Sequence, residues 1–146
     1  LGDLELAAQM LRRALDLDDS RWKTMLRLGR VQADSGELEE ARGSFQRAMN
    51  LAPYKPEVLD TIGLFYLQLG NPDFAIKSFA QALRVEPANQ AIRYHLAEAV
   101  LASGGDLDEA RPHLEQIIEE TPDSGWAERA RAVLAGRHSP TPGADE

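Results

Sequence analysis

Cysteine is absent from the chain, which excludes a disulfide framework, a thiolate zinc site and a thiol nucleophile, and is compatible with a reducing or an oxidising compartment. Aromatic residues are few, at 6% of 146 positions, yet 43% of the residues are apolar. That fraction is ample for a buried core and is not the composition of a disordered tail. The length allows one ordinary domain or a short repeat array. Cations are also scarce: 16 Lys and Arg stand against 24 Asp and Glu, a formal charge of −8. Because affinity for nucleic acid rests on Lys and Arg neutralising phosphates, this balance argues against a nucleic-acid partner. No run approaches the roughly 18 apolar residues of a membrane span, so direct membrane insertion of this segment is not expected. The opening residues, Leu1-Gly2-Asp3-Leu4-Glu5, lack the basic and apolar regions of a signal peptide.

The motifs of catalysis are missing as well. There is no phosphate loop of the G-x-x-x-x-G-K type, no G-x-G-x-x-G and no G-x-S-x-G. The histidines, His95, His113 and His138, never fall three or four residues apart, so a His-rich metal site is not expected. Carboxylate clusters at Glu39-Glu40, Glu119-Glu120 and Asp16, Asp18, Asp19 read as solvated helix faces and ends. The last of these lacks the glycine and distal glutamate of a calcium loop. The expectation is a non-enzymatic protein with no cofactor and no metal.

What is present is a repeat. Placing Trp22–Lys55 over Pro56–Asn89 aligns Leu28-Gly29 with Ile62-Gly63, Gly36 with Gly70, Ala41 with Ala75, Phe45 with Phe79, Ala48 with Ala82 and Pro53 with Pro87, each pair 34 residues apart. A third unit, Gln90–Ser124, continues with Leu96-Ala97, Gly104, Ala110, Leu114, Ile117 and Pro122, shifted by one after the extra Gly105. Each unit reads as two amphipathic helices. The small residues Gly29, Gly63 and Ala97 on the first helix, and Ala41, Ala75 and Ala110 on the second, mark where backbones come closest. Gly36 and Gly70 supply the left-handed turn that ends the first helix, and Pro53, Pro87 and Pro122 end the second. The resulting helices are Leu4–Leu17, Arg21–Ser35, Leu38–Leu51, Pro56–Leu69, Pro72–Val85, Gln90–Ser103, Leu107–Glu120 and Gly125–Ala135. Pro112 lies inside the seventh and is expected to bend it.

The middle unit, Leu59-x-x-Ile62-Gly63-x-x-Tyr66 followed by Ala75-x-x-x-Phe79, Ala82 and Pro87, resembles the tetratricopeptide repeat in both pattern and period. The first unit departs with Gln32 at the place of Tyr66, and the third with Arg93, Ala97 and Val100 at signature places. The resemblance implies an all-α fold, a right-handed superhelical solenoid of stacked helix-turn-helix repeats. Its units are residues 22–55, 56–89 and 90–124, the last with a one-residue insertion. Residues 1–20 match only a second helix: Gly2, Ala7, Leu11 and Ala14 stand at the places of Gly36, Ala41, Phe45 and Ala48. They are expected to be the remainder of a truncated repeat with further repeats upstream. Its edge, Leu4, Leu11 and Leu15, is then uncovered and expected to pack on a second copy. Residues 125–137 read as a capping helix with Trp126, Ala130, Val133 and Leu134 on one stripe and Glu128, Arg129, Arg131 and Arg137 turned away. Residues 138–146 read as a disordered tail.

In such repeats the first helices line a concave groove. Carried over position by position, the resemblance assigns to it Lys23, Leu26, Arg30 and Ala33, then Glu57, Asp60, Leu64 and Leu67, then Ala91, Tyr94, Glu98 and Leu101. An apolar strip of Leu26, Leu64, Leu67, Tyr94 and Leu101 with charges on either side suits an extended or helical peptide offering aliphatic side chains, with basic groups opposite Asp60 and Glu98. His95, beside Tyr94, is either near the ligand or a packing residue. The two-carboxylate clamp of chaperone-binding repeats is not expected, because Asn50, Asn71 and Asn89 fall in turns or helix ends. The function implied is a scaffold that binds a peptide or protein segment in the groove. The alternative is an assembly or spacer element stacking through repeat ends. The strings Ile92-Arg93-Tyr94-His95-Leu96-Ala97 and Asp60-Thr61-Ile62-Gly63 are also similar to repeats of bacterial lipoproteins and envelope proteins of exopolysaccharide and surface-protein export. That similarity favours a bacterial envelope, periplasmic setting over the cytoplasm.

Overall fold

The computed structural model describes residues 2–15 and 22–136, and of residues 13–15 the backbone alone. Among them are eight α-helices and no strand: α1 Gly2–Leu15, α2 Trp22–Asp34, α3 Leu38–Leu51, α4 Pro56–Gln68, α5 Pro72–Val85, α6 Gln90–Ala102, α7 Leu107–Glu120 and α8 Gly125–Leu134. Arg21, Arg137 and the 138–146 segment, His138 included, lie outside the described residues, as does the side chain of Leu15.

The helix ends follow from local chemistry. At the close of α4, Gly70 takes a φ of 71°, and the amides of Gly70 and Asn71 donate back to the carbonyls of Leu67 and Tyr66. This paired closure satisfies carbonyls that the helix leaves open, and α2 and α6 end the same way at Gly36 and Gly104. The second helices stop for a different reason: Ala52, Glu86 and Thr121 each precede proline, which forces them out of the helical region, to φ −144°, −124° and −140°. At the starts, the side chains of Asn71, Asn89, Asp106 and Ser124 accept from the amides of Phe74, Ile92, Glu109 and Ala127. The helix of α7 is unbroken from Leu107 to Glu120 through Pro112.

Consecutive helices pack as hairpins, α2 on α3, α4 on α5 and α6 on α7. The even-numbered helices also touch one another, α2 with α4, α4 with α6 and α6 with α8, whereas the odd-numbered ones do not. The even row is therefore the inner, concave side of an all-α solenoid. Three cores follow one another along it. The first joins α2, α3 and α4 around Phe45 and Ile62; the second joins α4, α5 and α6 around Phe79; the third joins α6, α7 and α8 around Leu114 and Ile117.

The repeat's small residues explain how these cores close. A Cβ added to Gly29 lies 2.6 Å from the ring of Phe45, and one added to Gly63 lies 2.5 Å from that of Phe79. The third unit carries Ala97 and Leu114 at the corresponding places, both fully buried. One methyl gained on the first helix is matched there by a smaller side chain on the second. Gln32, at the place of Tyr66, accepts a 2.6 Å buried hydrogen bond from Ser44, so the polar substitute is satisfied. Arg93 stands 34 residues after Leu59 in an otherwise apolar register. Its guanidinium donates from Nη1 to Gln116 at 2.6 Å and from Nη2 to the Pro87 carbonyl, which offsets part of the cost of burying an arginine there, while Nε is buried without a partner.

The two ends differ from the expectation in detail. On α1, Ala8 is buried and Leu4 and Leu11 are half-buried, while Leu6 and Met10 are 55% and 67% exposed. The helix has turned its Leu4, Ala8, Leu11 face onto α2, so the uncovered apolar surface is the Leu6, Met10 face instead. On α8 the buried stripe is Ala127, Ala130 and Val133, with Glu128, Arg129 and Arg131 exposed.

Candidate functional site

The concave face is built by α2, α4, α6 and α8, and its two halves differ. Toward α8 it is filled. Tyr94 is buried under Trp126, with ring centroids 5.5 Å apart, and Trp126 meets the ring of His95 edge-on at 5.8 Å. The guanidinium of Arg129 stacks over Trp126 at 4.9 Å. The Tyr94 hydroxyl donates to the buried Glu98 carboxylate. Burial first, and the neighbouring Glu98 charge second, push the Tyr94 phenol up to about 12. Tyr94 is thus taken up inside the fold beside Glu98, and the expectation that Tyr94 offers surface to a ligand is corrected.

His95 is a packing residue. Its Nδ1 lies 2.7 Å from Asp60 Oδ1, bridging α6 to α4. An ionised carboxylate only accepts, so the imidazole is the donor. The bond fixes the rotamer of Asp60, much as an outer-shell partner fixes a ligand in a metal site. It also spends on the fold part of the charge that sequence reasoning set aside for a basic partner.

Toward α2 the face opens. Between α2 and α4 lies a pocket of about 290 Å³, lined by Arg30, Ala33 and Asp34 from α2 and by Asp60, Thr61, Leu64, Phe65 and Gln68 from α4, with Phe45 of α3 behind them. Of the twelve groove positions expected from sequence, it brings together four: Arg30, Ala33, Asp60 and Leu64. Lys23 is exposed, its ammonium 5.4 Å from the Trp22 ring centroid. Leu67 and Leu101 are half-buried against the second and third cores. Leu26 is 4% exposed and belongs to the first core, so it too is corrected from groove lining to packing: α2 and α4 approach closely enough to cover it. Asp34, Thr61 and Gln68 were not anticipated. Asp34 and Gln68 are 34 residues apart, one place beyond the last carried-over groove position, so the same periodicity marks them.

The pocket combines a carboxylate held in place, an exposed second carboxylate, an exposed guanidinium and an apolar wall. It lies at or below the lower end of the roughly 300–1,000 Å³ range of small-molecule sites, and suits a single side chain of a larger ligand. No helix among the described residues is long and apolar enough to cross a membrane.

Two family models, each described as tetratricopeptide repeat, match residues 1–56 and 66–136. Among curated proteins, the human protein O-mannosyl-transferase TMTC1 is 31% identical over 111 residues, 76% of this chain and 12% of that protein. The bovine BBSome complex member BBS4 is 31% identical over 116 residues, 75% of this chain and 21% of that protein. The chain therefore spans only a minor part of these relatives. Among solved structures, a tetratricopeptide repeat protein of Parabacteroides merdae has a TM-score of 0.79 at 22% identity, covering 93% of this chain and 54% of that one. The first TPR of Spaghetti (RPAP3), bound to an HSP90 peptide, has a TM-score of 0.66 at 20% identity, covering 81% and 96%. The Yersinia enterocolitica secretion chaperone SycD, in complex with a peptide of the translocator YopD, has a TM-score of 0.69 at 24% identity, covering 79% and 90%.

Proposed function

We propose, for a chain that belongs to the tetratricopeptide-repeat family, that it is a protein-interaction module holding a segment of a partner protein on its concave face, with the α2/α4 pocket as the principal anchor point. The observation carrying this reading is that pocket: the inner row is open there and closed toward α8. Two neighbours of the same fold are complexes with peptides, which supports a peptide or protein ligand. Leu64 is the central apolar contact, and Arg30, Asp34 and Asp60 set charge preference at the rim. The similarity to a mannosyl-transferase covers 12% of that protein and brings no transferase chemistry to these repeats.

The test is a comparison of the natural chain with a Leu64→Glu variant as baits in the source organism's soluble and envelope fractions. Leu64 is only half-buried, so the variant is expected to keep its circular dichroism spectrum. Partners retained by the first bait and lost by the second support the reading. Equal retention by two equally folded baits overturns it.

The exposed Leu6 and Met10 favour a second reading, in which the α1 face packs on another repeat end within a larger assembly, as in an envelope or export protein. Light scattering that shows an oligomer dissolved by Leu6→Glu with Met10→Glu supports it; a monomer at all concentrations refutes it.

A further inference from the structure

We infer that the α2/α4 pocket takes a Lys or Arg side chain of the bound segment, with Asp60 as its fixed acceptor and His95 as the residue that positions Asp60. This rests on the reading of the concave face as the docking site and specifies the chemistry of the occupant. The aliphatic stem of such a side chain lies along Leu64, Phe65 and Phe45 while its cationic head meets carboxylates, the arrangement long basic side chains adopt on amphipathic surfaces.

Three observations select a cation over an anion. The pocket carries two carboxylates, Asp34 and Asp60, against one guanidinium, Arg30. The two signs differ in how they are held: Asp60 is anchored by the 2.7 Å bond from His95 and is largely covered, whereas Arg30 is exposed and makes no ion pair among the described residues. An acceptor already held in place loses less ordering entropy on binding than a long side chain held by no partner. The chain as a whole carries a formal charge of −8, so its field draws basic segments toward it and repels acidic ones. The Glu98 carboxylate at the far end of the face does not compete, because it is buried beside Tyr94.

The experiment pans a random peptide library on the immobilised chain, then measures the affinities of selected peptides for the natural chain and for Leu64→Glu, Asp60→Asn, Asp34→Asn and His95→Gln. Supporting results are peptides that lose binding to Leu64→Glu, share a Lys or Arg, and bind Asp60→Asn about ten-fold or more weakly, the loss expected for one charged hydrogen bond. Exchanging that Lys or Arg for Met abolishes the difference between natural chain and variant. Asp34→Asn, at an exposed position that serves no packing role, weakens the same peptides and guards against a folding defect in Asp60→Asn. His95→Gln weakens basic peptides while leaving Met-substituted ones unchanged, a split that a merely structural histidine does not produce. Leu64-dependent peptides without Lys or Arg, or with Asp or Glu in its place, overturn the inference and leave the docking face standing. If no selected peptide depends on Leu64, the docking face falls and this inference with it.

Discussion

Replacing Gly63 by Ala tests the packing logic of the repeats most directly. The new Cβ lies 2.5, 2.8 and 2.9 Å from Cε1, Cζ and Cδ1 of Phe79, against ordinary contact near 3.5–4.0 Å, so the ring must retreat by about 1 Å. Phe79 is fully buried in the second core and has no free direction to move. Overpacking of this kind costs about 1–3 kcal/mol, and a site this tight belongs in the upper half of that range. Glycine-to-alanine exchange inside a helix returns about 1 kcal/mol. The net expectation is a loss of about 1–2 kcal/mol, although helix propensity alone favours the variant. Phe79→Leu alone opens a void and costs roughly 1–2 kcal/mol. The double variant, Gly63→Ala with Phe79→Leu, reproduces the Ala97 and Leu114 pair of the third unit and is expected to be less destabilised than the sum by about 1–2 kcal/mol. Urea unfolding followed by circular dichroism, with unchanged slopes, reads all four corners of the cycle. Additivity within about 0.5 kcal/mol, or a Gly63→Ala chain as stable as the natural one, refutes the reasoning.

Other predictions concern caps and titrating groups. Asn89→Ala removes the acceptor for the Ile92 amide and is expected to cost about 1 kcal/mol, measured by the same unfolding assay. His113 titrates below the usual histidine range, chiefly because it is half-buried and secondarily because Arg93 is near. The unfolded chain then binds the extra proton first, so stability falls as pH drops below the ordinary histidine value; His113→Gln should flatten that part of the melting-temperature profile, and Arg93→Met should raise the His113 titration seen by NMR. Tyr94, pushed up to about 12, behaves oppositely: its contribution is intact below the free value near 10 and is lost as pH rises through about 12. Ultraviolet titration should show a late phenol step near 12, and Tyr94→Phe should remove it.

Much of the fold was legible because the repeat announces its own boundaries. The ends of α2 and α4 fall where Gly36 and Gly70 place them, and those of α3, α5 and α7 where the prolines Pro53, Pro87 and Pro122 do, since those residues dictate backbone conformation with no help from neighbours. The concave face was legible only as a row of positions. Whether Leu26 and Tyr94 are surface or core depends on how closely α2 meets α4 and on where Trp126 of α8 lands, and neither distance is written in the 34-residue period. The turn of α1 that exposes Leu6 and Met10 was hidden for the same reason: an amphipathic stripe does not say which of its edges the next helix covers. The Asp60 to His95 bond joins residues 35 apart, one repeat plus one place, so the ladder of first helices contains the pairing for anyone looking along it.

The ownership of the three cores has a mechanical consequence. Helices α4 and α6 each contribute side chains to two cores, whereas α3, α5 and α7 each serve one. The inner row is therefore a spine, and the outer helices hang from it like ribs. Flexing the array about that row would spread the ribs, so a change of curvature leaves each core joined to its spine helix. On the proposed reading, a partner segment held across α2 and α4 would lie over the first joint of that spine and act as a splint, stiffening the bend at the place where it is held.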